Sequence, residues 1–139
     1  MATMLSYILT DAEISRADLD AALKEAVRSS FNTISIDGDQ STSDTVFIMS
    51  SNKTPGVDLP EFTAALTDVC RGLALDIVRN GEGTQHVIRI NVSGAPSELF
   101  ARDLGRFVAN GALFKCAIAG SDPNVGRIVG GVGSFLSNP

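Results

Sequence analysis

Short apolar runs alternate with longer segments of helical periodicity along this chain, and this alternation restricts the folds open to it. Residues 3–10 and Thr45–Met49 are mostly apolar and have the length of buried strands. Thr33–Asp37 and Val87–Val92 alternate apolar with polar side chains, as half-buried strands do. Strands that are apolar enough to be covered on both faces need other layers packed against them. The pattern therefore predicts a layered α/β fold.

Three segments carry the signals of helices. Ser15 precedes the first, and Asp18 stands three residues further on in a weak form of the capping box. The second covers residues 60–78, where apolar side chains recur at helical spacing. Cys70 lies on this apolar stripe, so it is predicted to be a core residue rather than a reactive thiol. The third helix is predicted to begin at Pro96.

The composition argues against several classes of protein. With 139 residues, 44% hydrophobic and 19% charged, the chain is long and apolar enough for one folded domain or a large part of one. A formal net charge of −5 argues against a nucleic-acid-binding surface. No apolar run approaches the roughly 18 residues of a membrane-spanning helix, and no basic segment introduces a secretory signal. Cys70 and Cys116 have no CxxC spacing, so both are predicted to be free, buried thiols in a reducing compartment.

No motif for a metal or a nucleotide is complete. The loop Asp37–Asp39 begins like a calcium loop but lacks the later oxygen ligands and the closing glutamate, so no metal site is predicted. The glycines between residues 126 and 133 lack the lysine of a phosphate-binding loop, and close backbone packing is predicted to explain them. His86 is the only histidine and no nucleophile elbow is present, so it is predicted to be a surface residue.

Thr3 is the strongest candidate for a catalytic residue. It follows the small residue Ala2 and opens the first apolar run. If the Ala2–Thr3 peptide bond is cut, Thr3 carries a free α-amine, whose ordinary pKa of about 7.7–8.0 lets it accept a hydroxyl proton near neutral pH. One residue then supplies both the nucleophile and the base. In the alternative interpretation, Thr3 is an ordinary β-branched strand residue.

Glu82 is a second candidate, because it stands between two glycines in the predicted tight turn Asn80–Gly83. A carboxylate flanked by residues without side chains can project toward a ligand. In the alternative interpretation, Glu82 is only a solvated residue of the turn. The residues alone leave both interpretations open.

Four separated stretches, taken together, point to a known family. They are Met1–Leu5 with Thr10–Ala12, Ser30–Asn32 with Asp37–Thr45, Val78–Gly83, and Ala117–Arg127. In this order, over nearly the whole chain, they resemble the C-terminal (β) portion of ornithine acetyltransferase, the glutamate N-acetyltransferase of arginine biosynthesis. One departure is Val125, which stands where the family has a tryptophan in its Asp-Pro-Asn-Trp-Gly-Arg motif.

The resemblance implies a layered αββα-type sandwich and a precursor that cuts itself between Ala2 and Thr3. It implies that Thr3 is the catalytic nucleophile, which takes the acetyl group from N-acetylornithine and passes it to glutamate through an acetyl-threonine intermediate. Glu82 matches the position of a substrate-binding carboxylate. The resemblance implies no metal and no cofactor. Some members also use acetyl-CoA as the acetyl donor, and the sequence does not decide between the donors.

The resemblance also implies a partner, the upstream α chain of the same precursor, in a heterotetramer. In the family the oxyanion donors come from that α chain, so we expect this chain alone to be inactive as an N-acyltransferase. Residues 1–139 are then a single partial domain, a β-chain fragment that begins at the processing site and is truncated at its C-terminus. The expected location is the cytoplasm, or the mitochondrial or plastid matrix in a eukaryote.

Two other functions remain open at this point. A self-processing aminopeptidase or amidase of the same fold would use water, instead of glutamate, as the acyl acceptor. A truncated, non-catalytic homologue would serve as a binding or assembly module.

Overall fold

The structure is a computed structural model that describes residues 3–137. Its elements, in chain order, are β1 (Leu5–Ala12), α1 (Arg16–Arg28), a short 3-10 helix (Phe31–Thr33), β2 (Thr45–Thr54), α2 (Leu59–Arg79), α3 (Glu98–Asn110), α4 (Ala112–Ala119) and α5 (Val125–Ser137). Helices are mixed with parallel strands, which confirms the predicted α/β class. The described residues divide into a first unit, residues 3–34 and 39–77, and a second unit, residues 35–38 and 78–137.

Strands β1 and β2 pair in parallel, with Tyr7 opposite Phe47 and Ile8 opposite Ile48. Parallel neighbours need a crossover connection, and α1 lies within it. One face of this sheet is directed into the core of the first unit. The other face carries large apolar side chains that are exposed within the described residues, namely Leu5, Tyr7, Leu9, Phe47 and Met49. The two faces of the sheet are thus covered very unequally.

The core of the first unit lies between the sheet and helices α1 and α2. Its buried members are Ile8, Ala22, Ala26, Phe31, Leu66, Cys70 and Ala74. Cys70 is fully buried, which confirms its predicted place in the core. Burial raises the pKa of the Cys70 thiol, and a hydrogen bond with Ser30 partly offsets this rise. The buried thiol therefore stays protonated and unreactive near neutral pH.

The three predicted helices are confirmed, each with a side chain that caps its start. The Ser15 hydroxyl accepts a hydrogen bond from the Asp18 N–H at 3.1 Å at the start of α1. Asp58 accepts from the Glu61 N–H at 2.8 Å at the start of α2. Ser97 caps α3 in the same way. These side chains satisfy backbone donors that have no partner within the helix.

The strand predicted for Thr33–Asp37 is wrong. The chain forms the 3-10 helix there and then runs without strand pairing into the loop that precedes β2. Hydrogen bonds outside a sheet account for part of the difference. Both the N–H and the hydroxyl of Thr33 donate to the carbonyl of Ser30, at 2.9 and 2.7 Å, and the carbonyl of Ile36 accepts from the Lys115 ammonium at 3.3 Å. Such side-chain and turn bonds compete with a sheet ladder for the same backbone.

The strand predicted for Val87–Val92 is also wrong, since this segment has no ladder partner among residues 3–137. Its alternation nevertheless predicts burial correctly: Ile88, Ile90 and Val92 are half-buried, and the residues between them are exposed. The methyl groups of Val92 and Ile90 pack beside Gly105 of α3, where an added Cβ would lie 3.7 and 3.9 Å from them. Packing on a helix, without strand pairing, produces the same pattern of exposure.

Helices α3, α4 and α5 form the second unit, and neither α4 nor α5 has a counterpart among the three helices predicted above. The ring of Phe135 in α5 meets Phe100 at 5.4 Å, edge to face, and Phe107 at 5.5 Å. Val108 and Phe114 are buried. This apolar centre holds far fewer buried side chains than the core of the first unit.

Close packing does not explain all the glycines of α5. An added Cβ at Gly126 would lie 3.3 Å from an oxygen of Asn124, but no described atom lies within 4 Å of such a Cβ at Gly130 or Gly133. The prediction is wrong at these last two positions, because they lie on the exposed side of the helix. Glycine costs helix stability there without a packing reason.

Cys116 is exposed, so the prediction that both cysteines are buried is wrong for this residue. It lies on α4, which turns Phe114 and Ala117 inward instead. Both cysteines are free. Within residues 3–137, no helix is long and apolar enough to cross a membrane.

Candidate active site

Thr3 lies just before β1 and is exposed. Its hydroxyl oxygen is 3.0 Å from the hydroxyl oxygen of Ser41, a residue 38 positions further along the chain. Ala2, and with it one side of the predicted cleavage site, lies outside the described residues. The structure therefore places the predicted nucleophile against the polar loop at residues 37–44.

Asp44 ties the start of β1 to this loop. One carboxylate oxygen accepts from the Met4 N–H at 2.9 Å, and the other accepts from the Ser41 N–H at 3.2 Å. The Thr45 N–H also donates to the Met4 carbonyl at 2.9 Å, in line with the parallel ladder that begins at Leu5. Bonds to an ionised carboxylate are stronger than those between neutral groups. The backbone of Met4, which follows Thr3, and the backbone of its partner Ser41 are thus fixed.

Ser41 is held in turn by its own loop. It is half-buried, and its hydroxyl oxygen accepts from the Ser43 N–H at 3.2 Å. The Ser43 carbonyl accepts from the Thr45 hydroxyl at 3.0 Å. These bonds join the loop to the first residue of β2, so the position of the Ser41 hydroxyl follows from the strand pairing.

Sequence reasoning did not single out Ser41 or Asp44 as site residues. Both belong to a stretch that carried the family resemblance, but their polar character alone fits any surface loop. The missing information was the parallel pairing of Leu5 with Thr45, which brings the end of this loop beside residue 4. A prediction that β1 and β2 pair in parallel would also have predicted the contact of Thr3 with Ser41.

The Thr3 hydroxyl needs a proton acceptor before it can act as a nucleophile near neutral pH. Within the described residues its hydrogen-bond partner is the Ser41 hydroxyl, which is a very weak base. The arrangement can orient the Thr3 hydroxyl, but it does not deprotonate it. A free α-amine on Thr3 would supply the acceptor that these side chains do not.

Glu82 belongs to the second unit, whereas Thr3 belongs to the first. The Thr84 N–H donates to the Gly81 carbonyl at 3.1 Å, and Gly83 has a φ of +69°, as the third residue of a type II turn requires. The predicted tight turn is therefore present, but it covers residues 81–84, one residue further along than predicted. Glu82 is exposed, and its carboxylate accepts no hydrogen bond from residues 3–137. Its role in binding substrate stays a prediction.

Two other predictions made from the sequence, for His86 and for the loop at residues 37–39, can be compared with the structure. His86 is exposed, which confirms it as a surface residue. Around the Asp37–Asp39 loop, Gly38 has a φ of +89° and faces the side chain of Asn110. No group of three or more histidine, cysteine, aspartate or glutamate side chains within residues 3–137 is arranged to hold a metal ion.

A family model described as ArgJ family matches residues 1–138. The chain belongs to the ArgJ family. This confirms the resemblance drawn from the four stretches of sequence. Arginine biosynthesis bifunctional protein ArgJ 2 of Clostridium acetobutylicum is 47% identical over 138 residues, which are 99% of this chain and 36% of that protein. Arginine biosynthesis bifunctional protein ArgJ of Bifidobacterium longum is 46% identical over 136 residues, 96% of this chain and 34% of that protein.

A crystal structure of arginine biosynthesis bifunctional protein ArgJ from Bacillus halodurans has the same fold. The match has a TM-score of 0.87 and 38% sequence identity, and it covers 94% of this chain and 65% of that one. This ArgJ-family chain spans about a third of the length of the curated relatives it matches. The activity of a whole ArgJ protein therefore comes to this chain only as a proposal.

Proposed function

We propose that this chain is the nucleophile-bearing part of an acetyltransferase of arginine biosynthesis. The enzyme moves an acetyl group from N-acetylornithine to glutamate, with Thr3 as the residue that carries it. Membership of the ArgJ family and the names of the relatives support the pathway. The observation that supports the mechanism is the Thr3 hydroxyl itself, exposed and hydrogen-bonded to Ser41 at 3.0 Å.

The proposed reaction starts with cleavage of the Ala2–Thr3 bond, which frees the α-amine of Thr3. That amine takes the hydroxyl proton as the Thr3 oxygen attacks the acetyl carbonyl of N-acetylornithine. The C–N bond of the amide breaks, the proton passes to the leaving nitrogen, and ornithine departs. The amine of glutamate then attacks the acetyl-threonine ester. The ester C–O bond breaks, the proton lost by the glutamate amine passes through the Thr3 α-amine to the Thr3 oxygen, and N-acetylglutamate leaves with the Thr3 hydroxyl restored.

Glu82 is proposed to bind substrate. Its carboxylate is exposed at the tip of a turn, and no described residue neutralises it. A negative charge presented in this way suits the side-chain ammonium of N-acetylornithine. Opposite charge would orient the substrate without taking part in the acyl transfer.

Part of the catalytic machinery is proposed to lie in the upstream α chain, with which this chain forms a heterotetramer. An acyl transfer needs donors for the oxyanion, and loss of one such donor typically slows a reaction by about 10²–10³-fold. The proposed site is therefore completed by the partner, and this chain alone is expected to be inactive. Acetyl-CoA is a further proposed acetyl donor.

The experiment that tests the proposal is intact-mass analysis and N-terminal sequencing of the full-length gene product, combined with an assay of acetyl transfer. We expect a new terminus at Thr3 that is absent in Thr3→Ala, and parallel-line kinetics with N-acetylornithine and glutamate. Release of acetate without glutamate would indicate an amidase instead. An uncut protein that still acetylates glutamate would contradict the role of the freed amine.

A further inference from the structure

We propose that Ser41 is a positioning residue for the acetyl transfer, and that Asp44 holds Ser41 in place. Ser41 would orient the Thr3 hydroxyl so that its proton is directed to the Thr3 amine and one lone pair is directed to the substrate carbonyl. This inference rests on the function proposed above. It starts from the 3.0 Å distance between the two hydroxyl oxygens.

Either hydroxyl could donate this hydrogen bond, and the proposed direction, from Ser41 to Thr3, is compatible with the other bond of the Ser41 hydroxyl. A hydroxyl has one proton to donate and two lone pairs that accept. The Ser43 N–H already occupies one lone pair of the Ser41 oxygen. The Ser41 proton is available for the Thr3 oxygen, and donating it occupies one of the two Thr3 lone pairs. Thr3 then keeps its own proton for the amine and its second lone pair for attack.

Asp44 fixes the backbone of both partners in this contact. Its two oxygens accept from the N–H groups of Met4 and Ser41, so one carboxylate joins the residue after the nucleophile to the positioning residue. An amide in its place has one accepting oxygen and can keep only one of these two bonds. The separation of the Thr3 and Ser41 hydroxyls thus depends on the ionised carboxylate.

The fold does not depend on the Ser41 side chain. Strand pairing holds the start of β1 through the Thr45 N–H and the Met4 carbonyl, and neither Ser41 nor Asp44 belongs to the buried core. Removing the Ser41 hydroxyl therefore removes the contact with Thr3 and leaves the strands paired. Thr42, next to it, provides a matched control, because it is exposed and none of the bonds described at this site involves it.

The test uses the full-length protein with Ser41→Ala, Ser41→Thr and Thr42→Ala. In Ser41→Ala we expect kcat for acetyl transfer to fall about 10- to 100-fold, the effect of a small misplacement of a reacting group, with KM changed less than about twofold. Ser41→Thr keeps the hydroxyl and should recover most of kcat. Thr42→Ala should match the wild type in kcat, and all three should match it in melting temperature.

Each outcome decides the question. Wild-type rates in Ser41→Ala, while the wild type transfers acetyl groups, would overturn the role of Ser41 and leave the proposed function standing. A protein that neither cuts itself before Thr3 nor transfers acetyl groups would overturn both proposals. If Ser41→Ala does not fold, Ser41→Cys, nearly the same size but a weak donor, replaces it in the same comparison. Equal kcat in the cysteine and threonine variants would then overturn the role of Ser41.

Discussion

The two compact units of this chain hold their candidate residues in different ways. In the first unit, Thr3 lies beside a loop that is fixed to the start of β1 by the Asp44 carboxylate and by strand pairing. In the second unit, Glu82 is carried by one tight turn with a single backbone hydrogen bond, and its carboxylate is exposed. The fold therefore orients the proposed nucleophile before any substrate arrives. Under the proposed function, Glu82 would acquire its orientation only on binding substrate.

The largest expected effect is the loss of acetyl transfer when Thr3, the proposed nucleophile, is replaced. Replacing Thr3 by valine keeps its shape but removes the hydroxyl, so acetyl transfer should fall by at least about 10³-fold, or about 4 kcal/mol of transition-state stabilisation. The unfolding free energy should change little, because the hydroxyl is exposed. Transfer assays and urea denaturation of the full-length protein measure the two quantities. A Thr3→Val variant that still transfers acetyl groups would show that Thr3 is not the catalytic residue.

The next prediction compares the unfolding free energy that is lost when a leucine is shortened to alanine in each of the two units. Leu66 in the first unit is 5% exposed, and Leu66→Ala should cost about 2–5 kcal/mol of unfolding free energy. Leu136 in the second unit is 62% exposed, and Leu136→Ala should cost less than about 0.5 kcal/mol. Denaturation midpoints of the full-length protein measure both. Similar losses would mean that the exposed side of α5 is covered by another part of the whole protein.

Replacing Glu82 should reduce acetyl transfer less than replacing Thr3 does, and the loss should appear in kcat/KM for N-acetylornithine. Glu82→Gln removes the charge but keeps the shape, and we expect kcat/KM for N-acetylornithine to fall about 10-fold, or about 1.4 kcal/mol. Cleavage before Thr3 should be unaffected, as N-terminal sequencing would show. The double variant Glu82→Gln/Gln85→Glu moves the carboxylate three residues along the chain at constant net charge and provides the control. Unchanged kinetics in Glu82→Gln would remove this residue from the site.

Two glycines without close neighbours should respond in opposite directions. Gly130 lies in a helix, so Gly130→Ala should raise the unfolding free energy by up to about 1 kcal/mol. Gly56 also has no described atom near its would-be Cβ, but its φ of +77° disfavours alanine, and Gly56→Ala should lower the unfolding free energy by about 1 kcal/mol. Thermal melts of the full-length protein measure both. Destabilisation by Gly130→Ala would indicate that this side of α5 packs closely on a partner.

The smallest expected effect is a loss of folding stability at alkaline pH, caused by the Cys70 thiol. The raised pKa of the buried Cys70 thiol means that, above the ordinary cysteine pKa of about 8.5, the unfolded chain has lost a proton that the folded chain keeps. This contribution to stability is complete below that pH and is lost as the pH rises through the folded pKa. Exposed Cys116 should react with a thiol reagent at once, and Cys70 only as the protein opens. Equal labelling rates would contradict the described core.

Local signals predicted the parts of the fold that depend on neighbouring residues. Helices α1 to α3 have clear periodicity and caps, and β1 and β2 are apolar runs of the right length. The error at Thr33–Asp37 arose because Ser30 and Thr33 form bonds that residue patterns do not reveal. The error at Val87–Val92 arose because alternation reports burial, and burial has more than one cause.

At the candidate site, too, local sequence predicted some features and not others. Thr3 and Glu82 were singled out from their immediate neighbours and the family resemblance. The contact of Thr3 with Ser41 spans 38 residues and depends on which strands pair and in which direction. No local pattern contains that information, so only the three-dimensional structure identifies Ser41 as the neighbour of Thr3.

The distance along the chain between Thr3 and its loop also sets an order of events in the cell. Asp44 is 40 residues after Met4, so a ribosome adding roughly 5–20 residues per second makes the loop about 2–8 s after the nucleophile. During that interval the threonine has none of its folded neighbours. In a newly made chain, the contact of Thr3 with Ser41 therefore cannot form until β2 has been made and has paired with β1.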